Sequence, residues 1–340
     1  MTVTLALAGD TMLGRCVAER LREAPAPQTV LCAELRALLA EADLCVLNLE
    51  CCVSDRGERW HAPGKPFFFR APPATADVLA ELGVDCVTLA NNHALDYGFD
   101  ALADTRALLR RAGVAAVGAG ADVAAAREFA VLEAGGIRLA VVGATDHPED
   151  FAAAADRPGV AYADLRHGVP RWLLDTVGHA ADAADAVLVT PHWGPNMTSR
   201  PPHYVQDAAP RLLRAGATLV AGHSAHVVHG AGHRIVYDMG DFIDDYAVDS
   251  RLRNDLGLLF LVTWEAAPQD GHTRWLPVRL EAVPLYLDHC FTTVATGGHW
   301  QWMRARFTRA CAESGTDVTV TGDEGRLVVE WPAERPRRTP

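Results

Sequence analysis

Five apolar runs in this sequence stop at residues that bind metals or carry protons. Asp10 follows residues 2–8, and Glu50 follows 44–49. Asn92 and His93 follow 84–90, His192 follows 186–190, and His223 follows 218–221. A single Asp after a strand is usually a helix cap, and a single His is more often a surface or satisfied core residue. Repetition at successive strand ends carries more weight, because open α/β sheets bind ligands outside the carboxyl ends of their strands. Five such ends converge on one site, with oxygen and imidazole donors and no thiolate. That is a hard-to-borderline shell for one divalent ion, with Mn, Zn, Fe, Mg and Ca all compatible.

The elements that must position these residues alternate along the chain. Strands are expected at 2–8, 44–49, 84–90, 114–117, 137–143, 186–190, 218–221, 235–239 and 256–263, and helices at 17–21, 33–42, 74–82, 101–112 and 208–215. Strands interleaved with helices predict a layered α/β fold. From about residue 274 the pattern changes to mixed strands, one amphipathic helix at 300–312, and a hairpin of 318–321 with 326–330. The Pro/Arg-rich stretch 332–340 reads as a loose tail. No repeat or low-complexity linker divides the chain. The expected organisation is a core over 1–265, C-terminal strands and a helix packed on it over 266–331, and the tail.

Composition narrows the function classes. With 340 residues, 49% apolar and 22% charged, the chain can bury a sizeable core. Its 31 Lys+Arg against 43 Asp+Glu give a net charge of −12, the wrong sign for a nucleic-acid or anionic-membrane binder. Lys65 is the only lysine. The first residues lack a basic leader and their apolar stretch stops at Asp10, so no secretory signal is expected. No run reaches the ~18 apolar residues of a membrane span. Eight cysteines show neither zinc spacing nor secreted disulfide density, and Cys51 and Cys52 are expected as packed, reduced thiols. A cytoplasmic protein without nucleic-acid or membrane partners is expected, and its oligomeric state is left open.

Longer motifs surround the strand-end residues. Gly9-Asp10-Thr11-Met12-Leu13-Gly14-Arg15, Asn48-Leu49-Glu50, Leu89-Ala90-Asn91-Asn92-His93-Ala94-Leu95-Asp96-Tyr97-Gly98, His192-Trp193-Gly194, Gly222-His223-Ser224-Ala225-His226 and Tyr237-Asp238-Met239-Gly240-Asp241-Phe242 occur in that order. Together they resemble the poly-γ-glutamate capsule biosynthesis (CapA-like) family, a branch of the calcineurin-like metallophosphoesterases. The resemblance covers most of residues 2–265. It implies a four-layer α/β/β/α sandwich with a small C-terminal extension.

The resemblance also distributes roles. The wider pattern opens with Asp-x-His, and here Asp10 matches the Asp while Met12 stands where the His would be. Glu50 takes the place of the bridging Asp. Asn92, His192 and His223 match further ligands, with Gly-His-x-His lengthened to Gly-His-Ser-Ala-His. Met12 cannot serve a hard dication, so one metal at Glu50, Asn92, His192 and His223 is the implied count. A second at Asp10 stays open, since two-metal catalysis needs cations about 3.5–4 Å apart. Asp10 then becomes a candidate general acid/base. His93, His226 and His289 are the neighbouring imidazoles, each otherwise an orienting or surface residue. Arg15, Lys65, Trp193 and Asn196 are candidate substrate contacts, although Arg15 serves equally well in a salt bridge. Gly118 and Gly120 lack the rest of a dinucleotide fingerprint.

The first functional reading is a metal-dependent enzyme acting on a peptide or other carboxylate-bearing substrate. A Lewis-acid metal flanked by an Asp and a His suits removal and return of a proton α to a carbonyl. The family includes soluble members similar to lasso-peptide epimerases, which implies Cα epimerisation of a ribosomal, lasso-type peptide. The alternatives are a metal-dependent phosphoesterase or amide hydrolase, and a poly-γ-glutamate capsule biosynthesis protein. A non-catalytic binding module is the weakest reading, because the ligand set is retained.

Overall fold

The computed structural model describes residues 1–61, 64–269 and 272–331. Two β-sheets stack face to face. The larger runs in the order Thr319–Val320, Leu327–Glu330, His272–Leu287, Leu256–Gln269, Thr2–Thr11, Leu44–Leu49, Cys86–Thr88, Ala115–Val117. The smaller runs Ala231–Gly232, Ile235–Val236, Leu219–Ala221, Ala186–His192, Ile137–Thr145, Ala130–Ala134.

Side-chain alternation explains why the central strands read as unbroken apolar runs. On Thr2–Thr11, Val3, Leu5 and Leu7 enter the core between the sheets, where they join Leu139, Leu188 and Phe260. Ala6 and Ala8 point the other way, into a second core with Val17, Leu35, Leu79 and Leu102 of the helices Arg15–Glu23, Ala33–Glu41, Thr75–Glu81 and Gly98–Arg111. On Ala186–His192, Leu188 faces the central core while Val187 and Val189 pack against Leu173 and Leu212 of the helices Arg171–Ala183 and His203–Ala215. Strands buried on both faces have no polar side. The result is the α/β/β/α sandwich.

The described elements differ from the sequence expectation in a few places. The strand expected over 235–239 ends at Val236, because Tyr237 to Gly240 form a loop in which Gly240 takes a φ of 73°. The helix Arg171–Ala183 is missing from the sequence reading, its apolar face diluted by small residues. The strand His272–Leu287 is longer than its two prolines suggest. Pro277 sits where the pairing with Leu256–Gln269 shifts register, at Trp264, which is where a sheet tolerates proline. The strand Leu256–Gln269 crosses residue 265 without a break, and the helix Gly297–Ala312 contributes Trp300, Met303 and Phe307 to the core between the sheets. The tail 332–340 lies outside the described residues. Among the described residues no helix is long and apolar enough to cross a membrane. All eight cysteines are free thiols.

The strand ladder sets the site. Thr2–Thr11 pairs in parallel with Leu44–Leu49, placing Asp10 beside Asn48, and with Asp241–Ile243, placing Asp10 beside Asp241. The Asp10 amide donates to the Gly240 carbonyl at 3.0 Å. Gly9 makes this approach possible, since a Cβ there would lie 1.9 Å from the Gly240 oxygen. We expect Gly9→Ala to lower unfolding free energy by about 2 kcal/mol or more, as overpacking against backbone does. A urea melt checks this, and an unchanged midpoint would refute the close-approach account.

Candidate metal centre

Asp10 is the fully buried hub of the site. Its Oδ1 accepts from Asn48 Nδ2 at 2.6 Å, and its Oδ2 from the Ser224 amide at 3.2 Å. Asn48 Oδ1 in turn accepts from Asn91 Nδ2 at 2.9 Å, and Asn91 Oδ1 accepts from the His93 amide at 3.0 Å. A chain of buried amides thus links the ends of three neighbouring strands and fixes the Asp10 carboxylate plane.

Imidazoles arrive from the opposite sheet. A bridge pairs His192 with His223, and their Nδ1 atoms lie 2.9 Å apart. These atoms are 3.9 and 3.5 Å from Asp10 Oδ1. His223 Nε2 contacts Thr190 Oγ1 at 3.2 Å, which turns Nδ1 toward Asp10. His226 sits on a strained loop, with Ser224 at φ 123° and His226 at φ 58°. Its Nδ1 is 2.8 Å from Asp241 Oδ1, 3.2 Å from Asp10 Oδ2 and 4.0 Å from Glu50 Oε2.

Two donor groups result, each with ligand atoms within 4.8 Å of one another. One is Asp10, His192 and His223, and the other is Asp10, Glu50, His226 and Asp241. Asp10 belongs to both. Glu50 Oε1, Asn92 Oδ1, His192 Nε2 and Asp241 Oδ2 are buried without hydrogen-bond partners. Buried polar atoms left unpaired are costly. Oxygen and imidazole donors in this number fit a divalent cation. The geometry therefore gathers Asp10 with the two histidines and sets Glu50 among the carboxylates, whereas the sequence reading kept Asp10 apart. Met12 lies in the helix-side core, where its sulfur accepts from the Gly14 amide. Asp241 stands beside Asp10, where the sequence reading lacked a donor.

The electrostatics follow from burial. Burial raises Asp10, but the bond and charge of His226 outweigh it and hold the carboxyl below its usual range. Burial, then the charge of Asp10, pushes Glu50 well up. Burial likewise pushes Asp241 well up and Asp244 to about 6. Burial would lower His226, yet Asp241, Glu50 and Asp10 hold it well above the usual histidine range. Burial, then His223, drives His192 well down, and burial takes His223 to about 4.

His93 completes the floor. Its Nδ1 is 2.6 Å from Asp96 Oδ2, and its Nε2 is 3.8 Å from Glu50 Oε1. Burial lowers its pKa despite Asp96. Lys65 joins two of the surrounding segments, with Nζ 2.9 Å from Asp96 Oδ1 and donating to the Asn92 carbonyl at 2.9 Å. Arg15 pairs with Asp245 at 2.8 Å and lies over the rings of Phe67, Phe69 and Tyr246. Tyr246 Oη is 3.5 Å from Glu50 Oε2. Asn196 Nδ2 lies 3.1 Å from His226 Nε2.

Two candidates fall elsewhere. Trp193 is buried, with its indole donating to the Tyr237 carbonyl inside the core between the smaller sheet and its helices. His289 is exposed and makes no hydrogen bond or ion pair among the described residues. The sequence reading assigned no role to Asn48, Asn91, Asp96, Asp241 and Tyr246, nor to His147, whose Nδ1 contacts Asp146 and whose ring lies 5.1 Å from that of His192. Asn91, Asp96 and Asp241 stood inside the quoted motifs, so their signal was present. Asn48 also stood in a quoted motif, Asn48-Leu49-Glu50, but as the one polar residue inside an apolar strand it suggested no role.

Glu50, Asp241 and His226 hold protons to higher pH than usual and must release them to bind a cation, whereas His192 and His223 are already neutral. Metal affinity should therefore fall as pH drops from about 8 to about 5.5, starting at the carboxylate-rich group. Calorimetric titration with Mn²⁺ across that range checks this, and a flat affinity would contradict it.

Comparison with known proteins agrees with this architecture. Residues 4–246 match the family model described as bacterial capsule synthesis protein PGA_cap. A probable polyglutamine synthesis accessory protein of Mycobacterium tuberculosis is 33% identical over 297 residues, covering 83% of this chain and 76% of that protein. The PGA biosynthesis protein CapA of Bacillus subtilis is 28% identical, covering 70% of this chain and 62% of that protein. A solved structure described as a novel phosphatase from Mycoplasma pneumoniae has a TM-score of 0.50 at 13% identity, over 85% of this chain and 95% of that one, a likeness of fold alone. On the extent of the first of these matches, this chain belongs to the PGA_cap family of bacterial capsule synthesis proteins.

Proposed function

We propose that this chain is a metal-dependent enzyme that cleaves or transfers an amide link in a carboxylate-rich, polyglutamate-type peptide. The observation that carries the reading is the membership of Asp10 in both donor groups. A carboxylate shared in this way would serve as a ligand to a cation in either group rather than as a free base. A divalent metal bound there supplies Lewis acidity toward a substrate oxygen and acidifies water. The relatives' printed roles in polyglutamate-type synthesis point to the polymer.

The chain's own groups supply the proton chemistry. His93 donates Nδ1–H to Asp96, which leaves the Nε2 lone pair facing the floor of the site. Burial keeps that imidazole neutral at working pH. His93 Nε2 takes a proton from the attacking group and returns it to the leaving nitrogen. Lys65 holds Asp96 and the Asn92 carbonyl in place. Arg15 Nη1, without a hydrogen bond among the described residues, is available for a substrate carboxylate.

Cα epimerisation of a lasso-type peptide is the second reading. It is favoured by the Asp10–His226 couple, a carboxylate and a protonated imidazole 3.2 Å apart. The metal-loaded protein should release amine from γ-linked glutamate oligomers. Asp10→Asn should abolish release and strip metal, while Asp96→Asn should keep the metal and lower turnover by ~10²–10⁴-fold. Elemental analysis alongside the assay separates the readings. Asp10→Asn that loses turnover but retains metal, with solvent deuterium entering an α-carbon and no bond cut, would establish epimerisation instead.

A further inference from the structure

A groove of about 380 Å³ opens between the loop after His192 and the helix Gly297–Ala312, with Arg200, Arg306, Arg309 and His229 along it. Arg306 gives its hydrogen bonds to backbone, donating from Nε and Nη2 to the Val228 carbonyl at 3.2 and 2.9 Å and from Nη2 to the Ser199 carbonyl at 3.0 Å. Arg309 is exposed, and its side chain forms no hydrogen bond or ion pair among the described residues. Arg200 is neutralised by Glu313 at 2.8 Å. Arg306 and Arg309, three apart on one helix face, thus present two guanidinium charges without a carboxylate partner among the described residues. This occurs on a chain of net charge −12, whose long-range field repels polyanions.

Two adjoining segments that border the groove also border the metal centre. Asn196 meets His226, and the Met197 amide donates to the Ala225 carbonyl at 2.9 Å. A few residues further along both segments, Arg306 binds Ser199 and Val228. The arginines therefore lie only a few residues along both segments from His226. Resting on the polymer-substrate reading above, we propose that this groove holds successive carboxylates of a polycarboxylate peptide whose reacting link lies at the metal centre. Arginine is suited to this through paired N–H donors to each carboxylate.

The test is binding of dye-labelled γ-linked glutamate dimers and long oligomers to the metal-loaded chain, by fluorescence anisotropy. Long oligomers should bind more tightly than dimers and weaken as salt rises. Arg309→Glu should raise the Kd for long oligomers by about 10-fold and Arg309→Ala by about 3-fold, a loss of about 1.4 kcal/mol for the former. Dimer binding and metal content should stay unchanged in both. Equal oligomer binding by the wild type and Arg309→Glu overturns the groove while leaving the substrate reading standing. No binding of glutamate oligomers, with tight polyphosphate binding that Arg309→Glu abolishes, overturns the carboxylate assignment and the substrate reading together.

Discussion

A parallel pairing of three strand ends, with Asp10 between Asn48 and Asp241, is the constraint on which the rest of the site depends. It forces two carboxylates into adjacent register positions inside a core, where like charges repel strongly. Glu50, Asp238 and Asp244 are buried close by. Acids are not collected in this way for stability, because each carries a desolvation cost that apolar residues would avoid. One protonated imidazole, His226, answers only part of that charge. The unpartnered oxygens of Glu50 and Asp241 mark where compensation is still missing. A bound dication is the compensation that suits them, so metal binding and stability are coupled here.

The layers around this cluster explain why it can be held so tightly. Both strands that deliver its principal donors, Thr2–Thr11 and Ala186–His192, are packed on both faces, and their ends cannot shift without moving side chains of two cores. The strained backbone at Ser224 and His226 is affordable only against such a support. Gly9 and Gly240 permit the close backbone approach that brings Asp241 alongside Asp10. Site geometry and sandwich packing are thus one requirement expressed at two scales.

Much of this was legible in the sequence, for a definite reason. Strands buried on both faces produce apolar runs that end abruptly, and the residue at each break is where the chain reaches the open edge of the sheet. Asp10, Glu50, His192 and His223 were visible on that ground. Asn48 stood in a quoted motif, yet its role was not legible, because a polar residue inside an apolar strand signals no partner until the pairing is known. The grouping of the donors was also out of reach. It depends on the pairing of Asp241–Ile243 with the first strand, a contact between residues more than 200 positions apart that no local pattern encodes. Trp193 shows the reverse case, since adjacency to His192 suggested a substrate contact, whereas strand alternation turns its indole into the core.

Met12 and Asp241 together show how the fold, rather than sequence neighbours, decides which side chains surround Asp10. A thioether at position 12 removes an imidazole from a hard-ion site, and on sequence grounds that leaves Asp10 idle. In the fold, Met12 turns away into the helix-side core, and Asp241 arrives from the neighbouring strand with one oxygen on His226 and the other unpartnered. Asp241 adds a carboxyl to a cluster already rich in them, and burial pushes its pKa well up. Against the cost of burial, Asp241, Glu50 and Asp10 raise the hold of His226 on its proton, which ties the imidazole's state to theirs. One carboxyl brought in by strand pairing thus shapes both the oxygen donors of the centre and the protonation of the imidazole beside it.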